Sequence, residues 1–419
     1  MEEFSIYEKY GLFDNPFKCE HDHEIVGTSQ NKTFDSLLKF FSFKVAFGQR
    51  SGDKFISVLK GEYGTGKSFF LIKLTESILN KDKRFTQSLE ENAKIAVSKF
   101  SILTVDKKLP SDVMLHLYRL IVQNLGANGE RFFANLYKDL EDKTNSKETD
   151  MKEVISALSP DFRKAVLSLS EDCQEQFIAW KWISAQKLTQ KELHALGVRY
   201  FINNGELAEK NLFQLLKLLR ILDYGLLVVL IDEMEEILTT INEKQFWRAF
   251  LVIKEIFDKY SDIQYSHLKP MTPVGFVGGM TEDAWTSIDK GAEAEKGITA
   301  VRWRISKNIF EFGRFNEEDT AEFIKLLLSK ARVKGYKGNP LFPFEKDTIR
   351  SIQEASYGNP REIINICDKL LQEASVKKLP KIDLKTVNSY LSSAGGGESF
   401  EEVTQEDTGD DFLEDEEKI

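Results

Sequence analysis

The sequence predicts an α/β fold in three layers, in which helices cover both faces of a parallel sheet. Residues 55–59 form a short apolar run that suits a buried strand. A glycine-rich segment follows, and Leu71, Leu74 and Ile78 then recur with helical spacing. Residues 226–231 form the most apolar run of the chain and lack the polar alternation of a half-exposed strand. Such runs are typical of parallel strands that are buried on both faces.

The segment between the first strand and the helix after it fits the pattern G-x-x-x-x-G-K-[ST], a phosphate-binding loop. Its glycines allow a tight turn whose N–H groups point at phosphate oxygens, and the following helix adds the positive end of its dipole. Lys67 is expected to reach the terminal phosphates of a nucleotide, and the Ser68 hydroxyl to bind Mg²⁺. A glycine-rich turn that binds nothing is the alternative. The predicted nucleotide-binding residues are Gly61, Glu62, Tyr63, Gly64, Thr65, Gly66, Lys67, Ser68 and Phe69.

The composition is that of a soluble globular protein. Of the 419 residues, 42% are hydrophobic and 30% are charged. No apolar run approaches the ~20 residues that a membrane helix needs, and the acidic N-terminus lacks the features of a signal peptide. The three cysteines lie far apart and form no CxxC pair, which fits a reducing compartment. We therefore expect a cytoplasmic protein without a membrane partner.

The negative charge is concentrated near the C-terminal end. Residues 398–419 contain eleven acidic residues and one basic residue, which accounts for the whole net charge of −10. The neutral remainder is unlike a protein that binds duplex DNA through many phosphates. Because it has little to bury and repels itself, the segment after Gly395-Gly396-Gly397 is expected to be disordered. Phe412 and Leu413 within it suit a peptide ligand for a basic groove, and a solubilising end is the alternative.

The pattern along the chain divides it into five kinds of segment. Aromatic residues in the irregular leader are expected to pack on the domain that follows. Further strands are expected at residues 93–102, 273–279 and 308–312, and long helical stretches precede and follow the later strands. The predicted boundaries are a leader at 1–30, a nucleotide-binding core at 31–106 and 216–316, a helical insertion at 107–215, a helical lid at 317–394 and an acidic tail at 395–419.

Two carboxylates directly follow the apolar run 226–231. In parallel sheets, ligands bind at the carboxyl ends of the strands, where Asp232 and Glu233 are placed. Nucleotide hydrolysis needs a bound metal and a polarised water, so we expect Asp232 to hold Mg²⁺ through its coordinated waters and Glu233 to polarise the attacking water. The alternative is a strand that ends in two exposed acids. The phosphate-binding loop earlier in the chain favours the catalytic interpretation.

Arginines are the remaining candidates for stabilising the charge that develops on the γ-phosphate. Arg361 follows Tyr357-Gly358-Asn359-Pro360 and begins a helix, since proline is favoured in a first turn. From there Arg361 could contact the γ-phosphate, and the loss of this contact after hydrolysis would couple the nucleotide state to the position of the lid. Arg302 and Arg304 come shortly before the fifth strand, where they could face the nucleotide of a neighbouring subunit. Surface salt bridges are the alternative for both groups.

Together these motifs resemble the AAA+ class of P-loop ATPases. Gly61–Ser68 matches the Walker A motif, Leu227–Glu233 matches Walker B, and Gly358–Arg361 matches sensor 2. The resemblance covers roughly residues 25–105 and 216–393. It implies a parallel sheet in the order 5-1-4-3-2, a helical lid, ATP as ligand, and switching between ATP and ADP shapes, often in a ring or filament.

Three groups within this class share particular features with the chain. The Gly-Asn-Pro-Arg motif and the apolar helix after it resemble the archaeal origin-recognition branch and the ExeA-like ATPases, whose Asn-Pro-Phe leader is similar to residues 15–17. The inserted region resembles ATP-binding proteins of BREX-type phage-defence systems, with matches at Trp182, at residues 196–198 and at residues 224–226. The resemblance implies work in DNA transactions or defence.

Two features depart from the class. AAA+ proteins commonly place a polar sensor 1 residue at the end of the fourth strand, and after Gly278-Gly279-Met280 only Thr281 can serve. The origin-recognition branch also appends a winged helix after the lid, whereas the glycine joint and the acidic tail follow here. We therefore expect no self-sufficient origin binder.

The sequence as a whole predicts an ATP-hydrolysing AAA+ switch that remodels or recruits protein or DNA partners. Glu233, Lys67, Thr281, Arg304 and Arg361 are the expected catalytic residues. A nucleotide-gated scaffold with little turnover is the first alternative, and a replication initiator-like protein is the second. The sequence is compatible with three kinds of partner. These are proteins bound through the acidic tail, DNA reached through an assembly or a partner, and further copies of the chain in a homo-oligomer.

Overall fold

The structure is a computed structural model that describes residues 6–17, 24–51, 54–88, 94–104, 106–147, 150–170, 173–265, 271–294 and 296–394. The predicted disorder and partner role of the acidic tail therefore fall outside the described residues. The described residues divide into two compact units, a larger one within 24–323 together with 359–361, and a smaller one within 6–17, 324–358 and 362–394. None of the described helices is long and apolar enough to cross a membrane.

A five-stranded parallel sheet forms the centre of the larger unit. Its strands lie in the order β2-β3-β4-β1-β5, which confirms the expected 5-1-4-3-2 arrangement. All the strands run in one direction, so their carboxyl ends share one edge of the sheet. The strands are β1 (Phe55–Lys60), β2 (Lys94–Ser101), β3 (Tyr224–Asp232), β4 (Val274–Met280) and β5 (Ile309–Glu311).

Helices surround the sheet in the larger unit and make up most of the smaller one. Those of the larger unit are α1 (Thr28–Ser51), α2 (Lys67–Asn80), α3 (Lys83–Ser88), α4 (Val113–Gln123), α5 (Gly129–Lys147), α6 (Met151–Val154), α7 (Pro160–Leu167), α8 (Cys173–Ile183), α9 (Gln190–Leu196), α10 (Gly205–Ile221), α11 (Glu235–Thr240), α12 (Glu243–Tyr265), α13 (Glu282–Ala294) and α14 (Lys296–Ile305). Then follow α15 (Glu317–Lys330), α16 (Thr348–Ala355), α17 (Pro360–Val376) and α18 (Leu384–Ala394).

The apolar run in β3 is explained by burial on both faces of the sheet. Leu227, Val229 and Ile231 belong to one hydrophobic cluster. Leu226, Val228 and Leu230, which alternate with them along the strand, belong to another. Helices α1, α2 and α3 supply the second cluster, and the inserted helices together with α11–α14 supply the first. A strand between two helical layers has no solvent-facing side, which removes the usual polar alternation.

The helices inserted between β2 and β3 share a hydrophobic core with the sheet. Local capping helps to define them: Asp112 accepts a hydrogen bond from the Leu115 N–H at the start of α4. The Trp182 indole N–H donates to the Tyr200 carbonyl (2.6 Å) inside this core. Its burial supports a packing role for this tryptophan.

The leader contributes to the smaller unit. A 3-10 helix spans Glu8–Tyr10, and the Tyr10 hydroxyl donates to the Leu379 carbonyl at 2.9 Å. Phe17 packs edge-to-face on Phe344, with ring centroids 5.7 Å apart. The expectation that these aromatics pack on the domain directly after them is therefore wrong, because the apolar surface they cover belongs to C-terminal residues far away in the sequence.

Candidate functional site

The loop from Gly61 to Gly66 joins the end of β1 to the start of α2, as its sequence predicts. Gly64 (φ +80°) and Gly66 (φ +92°) lie in the left-handed region, which glycine adopts without the strain of a side chain. The Thr65 hydroxyl donates to the Glu62 carbonyl at 2.8 Å and holds the turn closed. The glycine pattern is thus explained by backbone geometry at these two positions.

This loop fits a phosphate group. A Cβ placed on Gly66 would have no heavy atom within 4 Å, so the space beside this residue is open. The open space lies at the N-terminus of α2, a 14-residue helix whose cap makes no side-chain hydrogen bond. Unpaired N–H groups and the positive end of the helix dipole favour an anion at such a position.

The Lys67 ammonium group lies folded against the loop. Its Nζ donates to the carbonyls of Gly61 (2.9 Å) and Glu62 (3.0 Å), and it lies 3.7 Å from Oε1 of Glu235. The residue is only 7% exposed, and burial lowers the pKa of Lys67 although the nearby carboxylates oppose this shift. A cation so placed is available to an anion that enters the loop.

The two predicted metal ligands lie together at the carboxyl edge of the sheet. The Ser68 hydroxyl donates to Oδ1 of Asp232 at 2.9 Å, and Asp232 is 5% exposed. The other oxygen, Oδ2, lies 3.1 Å from Nζ of Lys99 on β2. A hydroxyl and a carboxylate at the end of a phosphate loop form a donor set that suits Mg²⁺, which prefers oxygen ligands.

Glu233 has its side chain exposed next to this pair. Its backbone has a positive φ of +54°, and its N–H donates to Oδ1 of Asp232 at 3.1 Å. Partial burial, and then the charges of Glu236 and Asp232, raise the pKa of Glu233. A carboxylate with a raised pKa is a better proton acceptor, as the predicted role requires.

Arg361 also lies at the loop. The Asn359 amide donates from Nδ2 to the Tyr63 carbonyl at 2.7 Å, and its Oδ1 accepts from the Arg361 N–H at 3.0 Å. The Arg361 guanidinium lies 5.0 Å from the centroid of the Tyr63 ring. A Cβ on Gly64 would come within 2.7 Å of the Asn359 Oδ1, so a glycine is needed here for the close approach.

Thr281, the predicted sensor 1 residue, follows the last residue of β4 directly. Its hydroxyl oxygen accepts a hydrogen bond from the Ala284 N–H at 3.4 Å, at the start of α13. This contact is a helix cap. The structure therefore places Thr281 at the carboxyl edge of the sheet, and its catalytic role stays a prediction.

Arg302 and Arg304 both form ion pairs within the chain. Arg302 pairs with Asp289, and Arg304 pairs with Asp258 while its guanidinium lies 5.0 Å from the Phe257 ring centroid. The salt-bridge alternative therefore describes what the structure shows. A role toward the nucleotide of a neighbouring subunit stays a prediction.

Sequence reasoning missed two charged residues, Lys99 and Glu235. Lys99 is a charged residue within a largely buried strand, which is a signal that it has an ionic partner. Glu235 is the third of four acids in the run Asp-Glu-Met-Glu-Glu and reaches Lys67 from the start of α11. Neither pairing is visible in the sequence, because the partners come from separate segments.

Comparison with known families identifies the chain. The model of the BREX system ATP-binding protein BrxC/D matches residues 48–311, which is more than half of the sequence. The chain belongs to this BrxC/D family. The match includes the phosphate-binding loop, the whole insertion and the Asp232-Glu233 pair, and it confirms the resemblance to BREX-type ATP-binding proteins.

Solved structures with a similar fold include origin-recognition proteins. The Aeropyrum pernix ORC2 protein, in its ADPNP–ADP complexes, gives a TM-score of 0.50 at 11% identity over 91% of this chain and 72% of that one. Drosophila ORC bound to DNA gives a TM-score of 0.43 at 12% identity, over 93% of this chain and 65% of that one. The A. pernix ORC1 protein in complex with DNA gives a TM-score of 0.42 at 11% identity, over 90% of this chain and 68% of that one. No curated protein matches the chain. At such low identity the first likeness shows an AAA+ fold alone.

The Lys99–Asp232 ion pair gives a test of the site that needs no activity. Lys99→Met should lower the free energy of unfolding of this BrxC/D family member by about 3 kcal/mol in metal-free buffer, because it leaves a buried carboxylate without its cation. Urea unfolding would measure the change. Lys107→Met is the matched control, since the Lys107–Glu236 pair is more exposed and should contribute little.

Adding Asp232→Asn to Lys99→Met should restore part of the lost stability, because the uncompensated charge is then gone. Strictly additive losses in the double variant would show that the two side chains do not stabilise one another.

Proposed function

We propose that this chain is an ATP-hydrolysing AAA+ switch of the BREX-type ATP-binding proteins, which remodels or recruits protein or DNA partners. Membership of an ATP-binding family supports nucleotide binding. The observation that carries the proposal is the meeting of Lys67, Ser68 and Asp232 at the carboxyl edge of a parallel sheet. Ligands of such sheets bind at this edge.

ATP fits the loop through its phosphates. The backbone N–H groups at the start of α2 and the Lys67 ammonium group would bind them, and Gly66 leaves the space open. Ser68 and Asp232 would hold Mg²⁺, which neutralises phosphate charge when it is bound. The Ser68–Asp232 hydrogen bond already holds these two oxygen ligands at 2.9 Å from each other.

Hydrolysis would draw on three further residues of the chain. Glu233 would accept the proton of the attacking water, for which its exposed carboxylate and raised pKa are suited. Arg361, which lies on Tyr63 beside the loop, would contact the γ-phosphate. Thr281, directly after β4, would serve as the sensor 1 residue.

A nucleotide-gated scaffold with little turnover is the second candidate. The observation that favours it is the Thr281 hydroxyl, which is engaged in capping α13. A hydroxyl used in this way is less free to position a water. The intact Asp232-Glu233 pair favours hydrolysis, so turnover is the property that separates the two candidates.

Glu233→Gln should lower the turnover number for ATP by about 100-fold, because the amide cannot take a proton from water. The dissociation constant for ATP should change little.

Lys67→Ala should instead weaken ATP binding by about 100-fold, because it removes a charged donor to the phosphates. Phosphate release and equilibrium ATP titration would measure these effects. Unchanged turnover in Glu233→Gln would refute the assignment of Glu233 as the base. Unchanged affinity in Lys67→Ala would refute the proposed ATP-binding site.

A role of Arg304 toward a neighbouring subunit would make turnover depend on assembly. Turnover per chain should then rise with protein concentration, and Arg304→Ala should lower the high-concentration rate by about a thousandfold. Asp258→Asn is the matched control, because it breaks the same ion pair but keeps the arginine. Equal losses in the two variants would assign the effect to the ion pair within the chain.

A further inference from the structure

The Glu235 carboxylate is a buried acid next to the lysine of the phosphate-binding loop. Its side chain is 16% exposed, and Oε1 lies 3.7 Å from Nζ of Lys67. Oε2 is buried and, among the described residues, has no hydrogen-bond partner. The roles assigned above to Lys67, Ser68, Asp232 and Glu233 leave this carboxylate unused.

Lys67 is the cation that stabilises the charged form of Glu235. Burial raises the pKa of Glu235, and the attraction of Lys67 is the largest influence that opposes the shift. The other acids of this segment have further cations: Asp232 lies beside Lys99, and Glu236 lies 3.6 Å from Lys107. Glu235 is thus the carboxylate in this segment that depends most directly on Lys67.

A terminal phosphate in the loop would make the same demand on Lys67. It would take N–H donors of the ammonium group and bring several negative charges close to Glu235. The buried carboxylate would then lose part of its attraction to Lys67 and gain a repulsion. Losing the partner of a buried charge is unfavourable, so part of the phosphate-binding energy is offset.

We propose that Glu235 competes with the γ-phosphate for Lys67 and thereby sets the relative affinity of the site for ATP and ADP. The inference rests on the proposed ATP-binding function. ADP carries no γ-phosphate, so it leaves Lys67 closer to Glu235 and meets less competition. Glu235 therefore weakens ATP binding more than ADP binding, which makes it a specificity-determining residue of the site.

The test compares ATP and ADP binding, each with excess Mg²⁺, by calorimetric titration of wild type, Glu235→Gln and Glu236→Gln. Glu235→Gln keeps the size of the side chain and removes its charge. It should tighten ATP binding by about tenfold and ADP binding by clearly less, so the ratio of the two dissociation constants shifts toward ATP. Glu236→Gln removes the same charge one residue further along α11, where the partner is Lys107, and should leave the ratio unchanged.

A second variant, Glu235→Ala, keeps the test decisive if the glutamine folds poorly, and thermal unfolding would show which variants are folded. It should shift the ratio in the same direction. If wild type binds neither nucleotide, the proposed function fails. If wild type binds both but neither Glu235 variant shifts the ratio, or Glu236→Gln shifts it equally, the competition is refuted while the ATP site stands.

Discussion

The hydrogen bond between Ser68 and Asp232 is the constraint on which the rest of the site depends. It joins two segments that are 164 positions apart in the chain, one at the start of α2 and the other at the end of β3. Strand β4 lies between β1 and β3 and ties both segments to its last residues. The Gly61 N–H donates to the Met280 carbonyl and the Met234 N–H to the Gly279 carbonyl, each at 3.2 Å.

Glycines in β4 allow this close arrangement. A Cβ on Gly278 would lie 2.5 Å from the Met234 sulfur, and one on Gly275 would lie 2.0 Å from the Phe55 ring. The ring of Phe55 and the chain after Asp232 therefore approach the strand where side chains are missing. Gly278 lies close to the carboxyl edge and allows the Met234 side chain to pack behind the site, whereas Gly275 accommodates Phe55 at the opposite end of β1.

The long insertion is compatible with the site because it does not form a separate core. Its helices contribute to the same hydrophobic cluster as Leu227, Val229 and Ile231. They therefore help to cover the face of the sheet opposite to α1, α2 and α3. A parallel sheet needs such a layer on each face. The insertion thus helps to stabilise β3, which carries Asp232 at its end.

Much of this architecture could be predicted from the sequence because its signals are local. The glycine loop, the apolar run before Asp232 and the Asn-Pro-Arg helix start each lie within a few consecutive residues. The sheet order followed from the family resemblance that these motifs carry. The packing of Tyr10 and Phe17, the Lys99–Asp232 pair and the contact of Arg361 with Tyr63 could not be predicted. Each of these depends on side-chain directions between segments far apart in the chain.

The site is rich in charge, with Lys67 and Lys99 facing Asp232 and Glu235 in a largely buried environment. A charge that enters next to these buried side chains interacts with them more strongly than it would in water. A nucleotide bound as proposed would therefore have to rearrange the existing ion pairs of Lys67.

The most direct measurement is an experimental structure of the Glu233→Gln variant with ATP and Mg²⁺. We expect the phosphates to lie within hydrogen-bond distance of Lys67 and the α2 N-terminus, with the metal between Ser68 and Asp232. Nucleotide bound elsewhere, or a loop that remains empty under saturating ATP, would contradict this expectation.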